Sequence, residues 1–457
     1  MRKERVIERK EGFNKDGKYV IYWMQQSQRV HFNHALAFAI DKANALNVPL
    51  VVYFGLTKNY PEANARHYTF MLEGLVHVKE WLIKLGISFI FELESPEEGL
   101  LKYLDDTTYL VMDQGYLYHQ RLWRQNVLKY ILNQDLKCGV SVVETDVIVP
   151  VTYVSNKAEY GAYTLRPKIT KLYQTFRDFT TLPVLKNQQT IFDYSYDMSD
   201  IDRLVSFLPI DQKVKPSMIY KGGYIEASRR FSEFLLKQAN DYVDSNDPSK
   251  DLTSKMSMYL HFGQISSLEL LERLYVAHDQ KLIDGPSFDG FIEQLMVRRE
   301  LAFNFVYYQK GYDQFEYMTE PWAYQTMTLH ENDFKPYVYD INTLENANTH
   351  DIYWNAAMIE MVDTGYMHNY MRMYWAKKII EWSPSFEIAY QTIKLLNNKY
   401  FIDGRDPNSY AGIAWCFGKH DRAWTERTIF GKLRYMNDKG LERKFDINAY
   451  VLKWKRS

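Results

Sequence analysis

Residues 19–24 read Tyr-Val-Ile-Tyr-Trp-Met, six apolar or aromatic side chains in a row. Too short for a stable helix and too apolar for a surface strand, the run predicts a strand covered on both faces. Four more such runs come later, at residues 50–54 (Leu-Val-Val-Tyr-Phe), 87–91 (Ile-Ser-Phe-Ile-Phe), 109–112 (Tyr-Leu-Val-Met) and 140–143 (Val-Ser-Val-Val). Between them apolar residues recur at helical spacing, as in Phe70, Leu72, Leu75, Val76, Val78, Trp81, Leu82 and Leu85. Strand alternating with helix specifies a doubly wound parallel sheet with helices on both faces. Residues 15–175 are therefore expected to form an α/β domain.

Toward the carboxyl end the strand runs stop. Residues 176–225 are expected to be a connector, because their centre, 186–216, mixes Asn, Gln, Asp, Ser and Pro with poor periodicity. From 226 to 457 helix succeeds helix, punctuated by Asn246-Asp-Pro, Asp284-Gly-Pro, Ser383-Pro and Asp403-Gly-Arg-Asp-Pro-Asn. That half is expected to be an all-α domain. The α/β half has neither a G-x-G-x-x-G nor a G-x-x-x-x-G-K-[ST] phosphate loop. A ligand there would lie at the strand carboxyl ends, where the sheet order reverses. A purely structural domain fits those residues equally well.

Composition narrows the classes. Of 457 residues, 46% are hydrophobic and 25% charged, which excludes wholesale disorder. The formal net charge of −1 argues against a protein that coats nucleic acid over its whole surface, though not against a local basic patch. Aromatic residues make up 16% of the chain. Two cysteines, Cys138 and Cys416, cannot build a disulfide framework or a tetrahedral thiolate zinc site, and no metal site is expected. The first ten residues, MRKERVIERK, carry no apolar stretch of a secretory signal, and no window is long and apolar enough for a membrane span. The expected location is the cytoplasm.

Five segments of the helical half invite a chemical reading beside a structural one. Thr253-Ser-Lys-Met-Ser, ahead of helical sequence, suits an anion such as a diphosphate, or simple capping, with Ser266 and Glu269 as a capping box further on. On the packed helix around Phe291, Glu293 and Glu300 are seven residues apart and share a face to within about 20°. Either both are solvated charges, or a glutamate on a partly buried face beside two arginines could bond a neutral heterocycle or stabilise a transient charge. Arg372, Trp375, Ile379 and Trp382 fall in a stripe of about 80° on one helix, with Trp354 on the preceding helix. Such indoles allow electron hopping, or form an aromatic core. Asn397 to Tyr410 is dense in polar groups between aromatic stretches, as in a pocket for a polar ring system or an exposed turn. Finally, residues 430–457 hold eight Lys or Arg, among them Arg434, Arg443 and Lys444, against three acids. With Trp415 and Trp424 nearby, this reads as a nucleic-acid contact surface or a solvated terminal face.

Taken together these segments resemble the class II cyclobutane pyrimidine dimer photolyases of the photolyase/cryptochrome superfamily. The resemblance runs through Tyr22-Trp-Met-Gln, Thr164-Leu-Arg-Pro-Lys-Ile, Tyr259-Leu-His-Phe-Gly-Gln-Ile-Ser, Val297-Arg-Arg-Glu-Leu and Thr349-His-Asp. It continues through Trp354-Asn-Ala-Ala, Met371-Arg-Met-Tyr-Trp-Ala-Lys-Lys-Ile, Asp403-Gly-Arg-Asp-Pro-Asn and Phe430-Gly-Lys-Leu-Arg-Tyr-Met, nearly the whole chain in the family's order.

The resemblance implies an antenna-type α/β domain, then a helical domain holding reduced FAD non-covalently, in a monomer acting on double-stranded DNA that carries a pyrimidine dimer. The implied reaction is splitting of the flipped-out dimer by an electron from light-excited FAD. In the family's pattern Tyr242, Thr253, Ser254, Met256 and Ser257 fall at the FAD phosphates and ribitol. Arg372 and Asp403 fall beside the isoalloxazine, and Asn397 opposite its reactive nitrogen. Trp375, Trp354 and Trp382, in that order, match the chain that photoreduces the flavin. Glu293, Met373 and Trp415 match the pocket for the dimer, with Trp424 and the basic end, Arg434, Arg443 and Lys444, toward DNA. Some relatives have tryptophan near Val297, so that lesion contact is not expected here. A second antenna chromophore such as a deazaflavin is implied by analogy, as is a nucleoid association if the host is prokaryotic. The competing expectations are a cryptochrome-like flavin photoreceptor without repair activity, and a flavin-free nucleic-acid-binding scaffold.

Overall fold

The computed structural model describes residues 2–58, 60–178, 181–192 and 196–455. A short strand, β1 (Val6–Lys10), comes first. All five expected strands then form: β2 (Tyr19–Trp23), β3 (Leu50–Gly55), β4 (Ser88–Glu92), β5 (Thr107–Asp113) and β6 (Gly139–Val143). These five pair in parallel within a six-stranded sheet of order β1-β6-β5-β2-β3-β4. Their apolar runs are explained by two covered faces. Val20 and Tyr22 join a core with the helices His34–Leu46 and Ala65–Lys84, while Tyr19, Ile21 and Trp23 join one with Val127 and Ile131 of the helix Tyr118–Asn133. β1 is not among the expected strands, and it pairs antiparallel with β6. It is a charged edge strand, Val-Ile-Glu-Arg-Lys, of a composition that blocks further pairing and hides its strand character from a hydrophobicity reading.

The strand order reverses at β2, which lies between β3 and β5. There Asp113, at the end of β5, accepts hydrogen bonds from the Tyr22 hydroxyl (2.6 Å) and from the backbone N–H groups of Gln25, Gln26 and Ser27 (3.1, 3.1 and 2.9 Å). One carboxylate thus fixes the loop leaving β2. The segment expected to be a connector is better packed than its polarity suggests. It holds a helix, Ile201–Phe207, and lends Leu185, Met198, Leu204 and Val205 to the core of the sheet.

The helical half is built around the helices Ile352–Thr364, Asn369–Trp382, Phe386–Tyr400 and Pro407–Cys416. Their contacts form an apolar core in which Trp354, Trp375, Met358, Met361 and Ile379 are all almost fully buried. Asp351 caps the first helix through the N–H groups of Tyr353 and Trp354, and Gly365 ends it in the left-handed region, φ 82°. Buried polar links join the two halves. Arg66 donates to the carbonyls of Met361 (3.2 Å) and Tyr400 (2.9 Å), and Glu300 accepts the N–H groups of Ile148 (2.5 Å) and Val149 (3.3 Å).

The helix expected around Phe291 is not uniform. It runs as an α-helix over Gly285–Ile292, as a π-helix over Glu293–Arg298 and again as an α-helix over Arg299–Tyr308. The wider π turn rotates the residues beyond it about the helix axis, so Glu293 and Glu300 do not share an environment. Glu293 sits near the surface, and Glu300 is buried against the first half of the chain. The expectation of a common face assumed 3.6 residues per turn throughout.

Candidate active site

A cavity of about 470 Å³ opens among these helices. Its wall includes every residue expected at the cofactor: Tyr242, Thr253, Ser254, Met256, Ser257, Arg372, Asn397 and Asp403. It also includes Met373, Trp375, Trp415 and Arg434. The helix Asn369–Trp382 is the main beam, because Arg372, Met373, Trp375 and Ala376 all turn one face to the cavity. Its first turn is held by His368, whose Nδ1 accepts the Tyr370 N–H (3.2 Å) while Nε2 meets the Ser245 carbonyl (2.9 Å). Burial pushes that imidazole down to about 4, so it is neutral and able to accept.

Arg372 Nη1 lies 3.1 Å from Asp403 Oδ1, Nε donates to the Met367 carbonyl (3.0 Å), and the guanidinium covers the Phe401 ring at 3.9 Å. Three partners leave it one orientation. Asn397 Nδ2 donates to Asn398 Oδ1 (2.9 Å), which fixes the amide beside this pair. Across the Tyr366 ring, which lies 5.5 Å from the Arg372 guanidinium and 4.4 Å from Lys255 Nζ, Thr253 Oγ1 meets the Tyr366 hydroxyl at 2.9 Å, and Lys255 Nζ pairs with Asp251 at 2.7 Å. Burial works against the Lys255 charge, but Tyr366 and Asp251 outweigh it and keep the ammonium protonated. Lys255 also holds a left-handed backbone, φ 58°, an unusual conformation for a lysine. Ser266 caps its helix through the Leu268 N–H (3.2 Å), but Glu269 does not close a capping box. It accepts from the Tyr224 hydroxyl instead (3.0 Å).

The three indoles form a continuous path. Trp375 and Trp354 stack with centroids 6.4 Å apart, and Trp354 meets Trp382 edge to face at 5.6 Å. Only Trp375 touches the cavity, and the other two lead away from it. Glu293 does not line the cavity, whereas the adjacent Gln294 and Leu295 do. Its carboxylate is gripped by Arg166, Nε to Oε2 at 2.9 Å and Nη2 to Oε1 at 2.8 Å, and by Arg298 Nε at 2.9 Å. Burial works against the charge, but the hydrogen bonds from Arg166 and the charge of Arg298 outweigh it. Glu293 is thereby held below the usual carboxylate range. Val297 is buried in the core and does not line the cavity.

Trp424 is exposed and lies between the guanidinium groups of Arg422 (5.1 Å) and Arg434 (5.3 Å), outside the cavity wall. Arg443 and Lys444 are exposed at the end of the helix Asp438–Lys444, where Lys444 reaches the Tyr370 hydroxyl (3.1 Å). Arg456, counted in the basic end, lies outside the described residues. Sequence reasoning singled out neither Arg166 nor Lys377. Lys377 lines the cavity, donates to the Cys416 carbonyl (2.5 Å) and is lowered by burial to about 8. The string Thr164-Leu-Arg-Pro-Lys-Ile held the signal for Arg166, but not the partner 127 positions away.

A second, smaller cavity of about 110 Å³ lies where the sheet order reverses, lined by Met24, Gln25, Phe54, Tyr60, Trp123 and Arg405 among others. Comparison with known proteins decides the relationship. The DNA photolyase family model matches residues 20–186. A deoxyribodipyrimidine photo-lyase of Methanothermobacter thermautotrophicus is 46% identical over 95% of this chain and 94% of its own length. The chain belongs to the DNA photolyase family. A photolyase of the same name from Potorous tridactylus is 37% identical over 95% of this chain and 80% of its own length. The photolyase architecture is also found in a solved structure, an archaeal photolyase from Sulfolobus tokodaii with two FAD molecules. It superposes with a TM-score of 0.67 at 15% identity, covering 95% of this chain and 90% of that one.

Proposed function

We propose that the chain is a class II cyclobutane pyrimidine dimer photolyase, a light-dependent lyase acting on dimers in double-stranded DNA with reduced, non-covalently held FAD. What carries the reading is one cavity whose wall joins the residues expected to hold a flavin to Met373 and Trp415, two of the three expected to meet a flipped base. The class assignment is supported by the strings Val297-Arg-Arg-Glu-Leu and Met371-Arg-Met-Tyr-Trp-Ala-Lys-Lys-Ile.

The wall suits FAD chemically. The Trp375 Nε1 is buried there without a partner in the protein, and the wall carries hydroxyls and the Lys255 ammonium together with the Arg372–Asp403 pair and the Asn397 amide. Thr253, Ser254 and Ser257 with Lys255 would hold the diphosphate. Tyr242 and Met256 would pack the ribitol chain, and Arg372, Asp403 and Asn397 would orient the ring system. When bound and reduced, FAD supplies the light-driven electron. The protein's own part is to position and to exclude water. Met373 and Trp415 pack a base swung out of the duplex, Glu293 bonds its edge, and Arg434, Arg443, Lys444 and Trp424 grip the DNA around the gap. Trp382, Trp354 and Trp375 relay an electron inward from the surface.

The division 15–175, 176–225 and 226–457 belongs to the same proposal, with the first unit as an antenna domain. A deazaflavin would take the cavity at the sheet reversal. Because about 110 Å³ is small for a ligand cleft, its wall side chains must move outward to admit one. We take the enzyme to act as a cytoplasmic monomer, at the nucleoid in a prokaryotic host. Among the described residues no helix is long and apolar enough to cross a membrane.

The test is an absorbance spectrum of the purified protein, and then blue illumination of the reduced protein with a thymine-dimer oligonucleotide. Flavin bands and restored thymines are expected. A colourless protein, or a flavin-loaded one that repairs nothing, overturns the reading.

A further inference from the structure

Arg166 lies on the helix Ala162–Leu172, before the helical half begins, yet both ends of its guanidinium bond one carboxylate of the π segment. A fork of this kind is the geometry in which arginine fixes both position and orientation of a carboxylate, and lysine cannot reproduce it. The rest of the motif supports that placement. Leu165 and Ile169 are buried, and Lys168 pairs with Glu159, so the face carrying Arg166 has one setting. Arg298 completes the arrangement from the other side. Its Nε donates to Glu293 Oε1 at 2.9 Å and its guanidinium lies 5.6 Å over the Trp415 ring. Trp415 lines the cavity, so one cluster links the carboxylate to an indole of the wall.

We propose that Arg166 is a positioning residue of the dimer site: with Arg298 it holds Glu293 as a fixed hydrogen-bond acceptor for a ring N–H of the flipped pyrimidine. The inference rests on the photolyase reading and deepens it. An ionised carboxylate has no proton to give a carbonyl, so Glu293 acts here as an acceptor only. The charged groups acting on Glu293 are Arg166, from the preceding helix, and Arg298, on its own segment. Both favour its ionised form, and burial opposes it. Removing Arg166 leaves burial less opposed, so Glu293 then takes up a proton at higher pH.

The experiment compares wild type, Arg166→Met, Arg166→Lys and the double variant Arg166→Met/Glu293→Gln, all flavin-loaded. It measures affinity for a thymine-dimer oligonucleotide and repair yield between pH 8 and pH 4, which reaches the carboxylate range in which Glu293 titrates. Arg166 is partly exposed, so the variants are expected to fold, and a melting curve checks this. Loss of a surface cation alone would weaken binding equally at every pH. Positioning predicts instead that in Arg166→Met the acid limb of both affinity and repair moves to higher pH than in wild type, so the loss relative to wild type grows as the pH falls into the carboxylate range. Arg166→Lys should recover part of it, and the double variant should show no such limb. An Arg166→Met profile parallel to wild type overturns the inference. If wild type itself repairs nothing, the photolyase reading fails instead.

Discussion

Trp354 lies almost parallel to Trp375, with 11° between the ring planes and 6.4 Å between centroids, and its Nε1 donates to the Trp375 carbonyl at 3.0 Å. The hydrogen bond crosses between two helices and fixes the stacking distance, so the two rings cannot drift apart without losing it. Trp382, 2% exposed, continues the path toward Tyr339 and His350, each with its centroid 5.3 Å away. Ring distances of this kind suit the proposed electron relay, which needs short hops between oxidisable rings, and occur in aromatic cores as well.

Trp375→Phe is accordingly expected to abolish light-driven reduction of the bound flavin while leaving repair by chemically reduced protein intact, since phenylalanine is far harder to oxidise. The indole nitrogen has no partner in the protein, so the change orphans nothing, and the cavity it leaves should cost roughly 1–3 kcal/mol. The readouts are the flavin absorbance under illumination with a reductant and the repair yield after dithionite. Normal photoreduction in the variant would place the electron path elsewhere.

Arg372 and Asp403 make a mostly buried pair, with side chains 23% and 8% exposed. Removing one partner of such a pair strands the other charge, at a cost of roughly 2–4 kcal/mol. Asp403→Ala should therefore lower both the melting temperature and the flavin retained per chain after gel filtration, because the freed guanidinium loses its single orientation. Full flavin content in a correctly folded Asp403→Ala protein would show that the pair does not shape the cofactor end of the cavity.

A sequence displays openly only the causes that act between neighbouring residues. The runs at 19–24 and 50–54 are apolar because helices cover both sheet faces, and that cause is written in consecutive residues. β1 is stabilised by its pairing with β6, more than a hundred residues away, and its Glu-Arg-Lys carries no sign of it. Of the residues expected at a cofactor, Arg372 and Asp403 sit in strings shared with a family, and the cavity brings Tyr242, Thr253, Ser254, Met256, Ser257 and Asn397 to the same wall. The grip of Arg166 on Glu293 was not legible, since it depends on a distant helix and on a π turn that 3.6-residue periodicity cannot foresee. The same turn separates Glu293 from Glu300, which spacing alone sets on one face.

His368 connects acidity to the site. In the unfolded chain an imidazole titrates near about 6.5, and in the fold burial brings it down to about 4. Burial, with the Lys255 charge adding to it, keeps the neutral form, and only that form accepts the Tyr370 N–H at the start of the helix bearing Arg372 and Trp375. Its stabilisation is therefore complete above about pH 6.5 and is lost as pH falls from there through about 4, on the order of 3 kcal/mol in all. His34, His67, His119 and His420 are lowered by burial in the same sense, so the whole protein should lose stability across that window. His368→Asn isolates the one that matters here, since the amide oxygen can still accept the N–H but does not titrate. Its melting temperature should fall less steeply than that of wild type between pH 6.5 and pH 4, and its bound flavin should be released at lower pH. Parallel melting profiles for the two proteins would mean that the cap is not the group being titrated.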